Sequence, residues 1–98
     1  MNKDLKQSIK YRENSIISKS ILRTNKLDIT LFCMAAGTEI SEHTSTKKGF
    51  VYILEGEGVF YLEKEKIEMK PQIIIFLEEN NLHSLKAKKD TSFILVLT

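Results

Sequence analysis

Residues 37–58 read GTEISEHTSTKKGFVYILEGEG, and this stretch decides the fold. His43 ends a short predicted strand, and the strongly apolar residues 49–54 lead into a glycine-rich run at residues 55–58. Glycine adopts positive φ angles without a steric cost, which is what a tight turn between two strands requires. Residues 55–58 are therefore predicted to close a β-hairpin.

Short apolar segments continue on both sides of this stretch, separated by clusters of Gly, Asn, Lys or Glu. Segments of this length between turn-forming residues are typical of β-strands. Because no helical segment is available to connect parallel strands, the pattern favours an antiparallel sandwich or barrel of the all-β class. The predicted strands span residues 15–22, 27–35, 40–43, 49–54, 58–62, 66–69, 73–77, 82–87 and 92–97.

The second predicted strand, LDITLFCMA at residues 27–35, has one wholly apolar face and one mixed face. The apolar face carries Ile29, Leu31, Cys33 and Ala35, and alternation along the strand predicts that it faces the core. Cys33 is the single cysteine of the chain, so it has no partner for an internal disulfide. Its expected role is that of a small buried hydrophobe.

The length of 98 residues predicts one domain, because a second core would have too little surface to bury. The residues are 42% hydrophobic and 29% charged, which is sufficient for a packed core and excludes a broadly disordered chain. No apolar run approaches the roughly 20 residues of a membrane span, and the N-terminal segment is polar where a signal peptide is apolar. A cytoplasmic protein without a membrane partner is expected.

The charge is divided unevenly along the chain. Residues 1–27 carry seven Lys or Arg and two acidic residues, whereas residues 28–98 carry eight basic and eleven acidic residues. Basic residues can neutralise phosphates, but Tyr11 is the only aromatic among them and no nucleic-acid motif accompanies them, so nucleic acid is an unlikely partner. Residues 1–14 are predicted to form an N-terminal arm and residues 15–98 the barrel domain.

The stretch at residues 37–58, followed by KPQIIIFLEENNLHSLKA at residues 70–87, resembles the two sequence motifs of the cupin superfamily. In the first motif Gly37, His43 and Gly56 match, while Ser45 and Gly49 stand at the positions of the second histidine and the glutamate. In the second motif only the histidine, His83, is retained. The motif's other positions, two glycines, a proline and an asparagine, are occupied by Gln72, Asn80, Glu78 and Ala87.

The resemblance implies a cupin-like (RmlC-like) jelly-roll β-barrel of antiparallel strands. It also implies a homodimer in which an N-terminal strand, residues 15–22 in this chain, packs against or swaps into the partner. Such an arrangement would protect a strand edge that is otherwise prone to aggregation.

The resemblance implies a metal site of the cupin type, in which three histidines and one carboxylate surround a transition metal. Of these four ligands, this chain supplies only His43 and His83. The predicted cofactor is therefore either none or a divalent transition metal held by these two histidines, since imidazole suits such ions. The predicted ligand pocket consists of His43, Ser45, His83, Tyr52 and Tyr61.

Three functions remain open at this point, and the residues leave undecided whether the chain is an enzyme. The first is binding of a small molecule in the pocket. The second is a metal-dependent enzyme of the dioxygenase or isomerase type, with missing ligands supplied by water, substrate, Glu78 or Glu79. The third is a structural or partner-binding dimer without pocket chemistry. Binding leads because a fold does not confer chemistry by itself.

Overall fold

The computed structural model describes residues 2–98, so Met1, the first residue of the predicted arm, lies outside the described residues. Within this range a one-turn helix, α1 (Leu5–Ser8), precedes nine strands. The strands follow the predicted segments closely, which confirms the all-β class. They are β1 (Ile16–Arg23), β2 (Asp28–Met34), β3 (Glu39–His43), β4 (Gly49–Glu55), β5 (Gly58–Leu62), β6 (Glu65–Met69), β7 (Ile74–Leu77), β8 (His83–Ala87) and β9 (Thr91–Leu97).

The strands form two antiparallel sheets that pack face to face. The first sheet has the order β1-β2-β9-β4-β7 and the second the order β3-β8-β5-β6. Apolar side chains from both sheets meet in one core, and this two-sheet arrangement is the predicted jelly roll. The largest fully buried core side chains include Met34, Ile53, Phe60 and Met69.

The hairpin predicted at residues 55–58 is wrong. Strand β4 pairs with β7 and β9, whereas β5 pairs with β6 and β8, so the turn carries the chain from one sheet to the other. Gly56 does have a positive φ of 106°, and the N–H of Glu57 donates to the Thr91 hydroxyl at 3.1 Å. A glycine turn reverses the chain in either case, and only pairing with distant strands decides between a hairpin and a sheet change.

The interior face of β2 is also different from the one predicted. Met34 belongs to the barrel core, and Phe32 packs against that core with its ring stacked on Phe93 at 5.1 Å between centroids. Leu31 and Cys33 are buried as expected, but they lie on the opposite face of the sheet. Alternation distinguishes two faces, yet in this strand both faces are covered.

The N-terminal segment, residues 2–14, contacts the outer face of the five-stranded sheet. The Tyr11 hydroxyl donates to Glu55 Oε2 at 2.8 Å, and Lys19 Nζ donates to the Ser8 carbonyl at 3.3 Å. Burial, together with the carboxylate of Glu55, raises the pKa of Tyr11. The segment contains only one turn of helix, and no helix in residues 2–98 is long and apolar enough to cross a membrane.

Gly49 marks a close approach between two strands of the larger sheet. It lies opposite Leu97 of β9 and Leu77 of β7, and a Cβ atom at this position would collide with the backbone carbonyl of Val96. The obstacle is backbone, so it cannot rotate away as a side chain would. Residue 49 must therefore be glycine unless β4 and β9 move apart.

We expect Gly49→Ala to lower the free energy of unfolding by about 2 kcal/mol or more, since an added atom in a packed site forces the backbone to shift. Urea denaturation followed by circular dichroism measures the change. Gly37→Ala is the control, because Gly37 has a positive φ but open space around its Cβ position. An unchanged stability in Gly49→Ala would show that the close approach does not require glycine at residue 49.

Candidate functional site

The structure brings together the two histidines predicted from the sequence. His43 ends β3, His83 begins β8, and the two residues are direct partners in the pairing of these strands. Their ring centroids are 4.0 Å apart with an interplanar angle of 65°. An irregularity in the pairing between Ile40 and His43 precedes this contact.

Each histidine uses one ring nitrogen to bond the backbone carbonyl two residues earlier in the chain. Nδ1 of His43 is 2.8 Å from the Ser41 carbonyl, and Nδ1 of His83 is 3.1 Å from the Asn81 carbonyl. A carbonyl oxygen only accepts, so in the neutral ring each Nδ1 carries the proton and each Nε2 is an acceptor. In the described part of the chain neither Nε2 makes a hydrogen bond to another protein group.

Both imidazoles line a cavity of about 40 Å³ between the two sheets. One water occupies roughly 10–15 Å³ on this measure, so the cavity has room for only a few atoms. Its other lining side chains are all apolar. They are Phe32, Ile40, Val51, Phe60, Leu77, Leu85, Phe93 and Leu95.

The two histidines differ in their exposure to solvent. His43 is exposed, whereas His83 is only 7% exposed and stacks on Phe60 at 5.8 Å with an angle of 7°. Burial lowers the pKa of His83, and the neighbouring His43 lowers it further against the opposing hydrogen bond to Asn81. The buried ring is therefore neutral at neutral pH.

Three other residues predicted for the pocket do not line the cavity. Ser45 lies in the loop after β3, where its hydroxyl accepts from the N–H of Lys47 at 3.1 Å. Tyr52 alternates with the buried Val51 and so faces away from the core, and Tyr61 is 44% exposed beside the buried Phe60. Both alternating faces of β4 and β5 carry apolar residues, so the sequence alone does not fix which face of these strands lies toward the cavity.

The sequence interpretation missed Phe60 and Phe32, which form aromatic walls of the cavity. One relationship, which is visible once the strand pairing is known, locates Phe60. Leu85, two residues after His83, is the direct partner of Phe60 in β5, so Phe60 shares the inward face of His83. That deduction needs the pairing of β5 with β8, which the sequence does not state.

The residues present do not fit a divalent metal centre of the kind that the resemblance implied. Ser45 bonds within its loop, and Gly49 has neither a donor nor space for one. In residues 2–98 no group of three or more His, Cys, Asp or Glu side chains is placed to hold an ion. Two imidazoles without a third protein donor fall short of the three or four ligands of known zinc sites.

Comparison with known proteins gives the same fold. Residues 30–98 match the family model described as the cupin domain. An uncharacterized protein of Aquifex aeolicus is 25% identical over 97 residues, which cover 97% of this chain and 80% of that protein.

Solved structures agree over nearly the whole chain. A conserved protein of unknown function from Streptococcus pyogenes has a TM-score of 0.90 at 24% identity, covering 100% of this chain and 86% of its own. A cupin superfamily protein from Desulfitobacterium hafniense has a TM-score of 0.89 at 25% identity, covering 95% of this chain and 85% of its own. These descriptions name no substrate.

The lowered pKa of His83 predicts a loss of stability in acid. The unfolded chain takes up this proton near the ordinary histidine pKa of about 6.5, whereas the folded chain resists it. The stability that the folded chain gains from its neutral His83 is therefore fully present above that pH, and it is lost as the pH falls through the pKa of His83 in the folded chain. Urea midpoints at about pH 8 and about pH 5, on either side of the histidine pKa, should differ less in His83→Gln than in the wild type. An equal difference in both proteins would contradict the assignment.

Proposed function

The chain belongs to the cupin domain family, and from this premise we propose that it binds a small molecule in the barrel cavity beside His43 and His83. The family assignment alone does not supply a function, because one fold hosts many activities. The proposal therefore rests on the chemistry of the cavity.

One observation carries the proposal. His43 and His83 are the only polar residues among those lining an otherwise apolar cavity, and the bonds of both Nδ1 atoms to backbone carbonyls leave each Nε2 as the ring atom without a protein partner in the described part of the chain. Binding sites commonly combine apolar walls with a few convergent polar groups that orient the ligand. The two Nε2 atoms are available to act as such polar groups.

A metal-dependent enzyme is less well supported by the same residues. It would need donors from water, substrate, Glu78 or Glu79, and both of these glutamates are exposed residues between β7 and β8. The backbone N–H of Glu78 donates to Asn81 Oδ1 at 2.8 Å, and within residues 2–98 neither carboxylate joins the two histidines in a group that could hold a metal ion. Ligand binding requires no additional donor.

Small probes with three to five heavy atoms, drawn from alcohols, amines, ketones and carboxylates, provide the test. At least one should shift the ring-nitrogen NMR signals of both histidines saturably. Val51→Leu adds bulk to the cavity wall and should weaken that binding at least about fivefold, or ~1 kcal/mol. Ser84→Ala, next to His83 but not among the lining residues, is the control. Absence of any saturable shift, or an unchanged affinity in Val51→Leu, would contradict cavity binding.

A homodimer formed through β1 is the second candidate, and an edge of the larger sheet favours it. Among the described strands β1 pairs with β2 alone, so its other edge is open to a second copy. Light scattering should give twice the 11.3 kDa chain mass for the wild type. Ser18→Pro in β1 should produce the monomer, while Phe76→Lys on β7, where Phe76 is 66% exposed, should not. The opposite pattern would place the contact at the other edge.

A further inference from the structure

We propose that the ligand of this cavity is a small neutral molecule with two neighbouring hydroxyl groups and a short apolar end. This inference rests on the proposed function and specifies its ligand class. It follows from three properties of the cavity: the kind of polar atoms it presents, the charges it lacks, and its size.

The cavity presents hydrogen-bond acceptors and no side-chain donor. The Nδ1 protons of His43 and His83 are committed to the Ser41 and Asn81 carbonyls, which leaves two Nε2 lone pairs. The remaining lining side chains are hydrocarbon and supply neither donors nor acceptors. A complementary ligand must therefore bring the donors, and because the ring centroids are only 4.0 Å apart, one small molecule with two hydroxyl groups can reach both rings.

The lining contains no carboxylate, lysine or arginine. An ammonium ion would have to leave water without a carboxylate to replace its hydration, which is costly in an apolar site. A carboxylate ligand carries only acceptors and would meet the two lone pairs unfavourably. A neutral hydroxyl group avoids both costs because it donates a hydrogen bond without bringing a charge.

A metal ion is the other species that two lone pairs could attract. The packing around Gly49 and Ser45 prevents these residues from supplying further metal ligands. The carbonyl of Val96 fills the space where a side chain at Gly49 would begin. The Ser45 hydroxyl already accepts from the N–H of Lys47. The histidines therefore keep acceptor atoms at positions where no third protein donor reaches them.

The volume limits the apolar end of the ligand. About 40 Å³ is far below the 150 Å³ of a cavity that accepts benzene, so an aromatic ring does not fit without rearrangement. One or two carbon atoms against Phe60 and Leu77 are compatible with this space. The hydroxyl groups would then lie at the histidines, toward the exposed side of His43.

A matched series of small compounds tests the inference. Propylene glycol carries two neighbouring hydroxyls, n-propanol carries one, acetone carries none, and propionate adds a charge at similar size. Ring-nitrogen shifts of both histidines, titrated with each compound, should show propylene glycol binding about tenfold more tightly than n-propanol, with acetone and propionate weaker still. Titration with Zn²⁺ or Ni²⁺ alone completes the series.

Variants that each remove one imidazole acceptor test whether the preference for the glycol depends on both histidines. His83→Phe and His43→Phe should each abolish the preference for the glycol over n-propanol, and the exposed His43 provides a substitution that does not disturb the core. Ser84→Ala should keep the preference. Equal or tighter binding of acetone or propionate, or one-to-one metal binding that shifts both rings at micromolar concentration, would overturn this ligand class while leaving cavity binding intact. Failure of every compound to bind would overturn both proposals.

Discussion

The five-stranded sheet carries apolar side chains on both faces, and this constraint determines how the rest of the chain is arranged. One face, with Phe32 and Phe93, is covered by the second sheet and becomes the barrel interior. The other face, with Leu31 and Cys33, is contacted by the N-terminal segment. Since burial of apolar surface is the main favourable term in folding, both covers stabilise this sheet.

The same constraint explains what could be predicted from the sequence. The sequence predicts the strand positions because turn-forming residues interrupt each apolar run. It identifies the two histidines because their spacing matches that of the cupin motifs. The sequence does not predict which alternating set of residues in β2, β4 and β5 faces the barrel interior, since neighbouring residues such as Val51 and Tyr52 are both compatible with burial. Only the pairing between distant strands fixes which residue faces the cavity.

The candidate site combines retained geometry with altered chemistry. Strands β3 and β8 still bring two imidazoles into contact, although the motif positions at Ser45 and Gly49 have lost their donors. The close approach of β4 to β9 leaves no room for a side chain at residue 49. The sequence shows glycine where the motif has glutamate. The obstacle to a side chain there is the backbone of β9, which lies more than forty residues further along the chain.

Strand β9 follows all the other strands in sequence, yet it occupies the middle of the five-stranded sheet. Ribosomal synthesis at roughly 5–20 residues per second therefore delivers β2 and β4 well before the strand that joins them. Until β9 emerges, these two strands have apolar faces and unpaired inner edges, which are the features that promote association between nascent chains. Pairing with β9 covers both inner edges at once, so the last strand of the barrel is the one that completes the larger sheet.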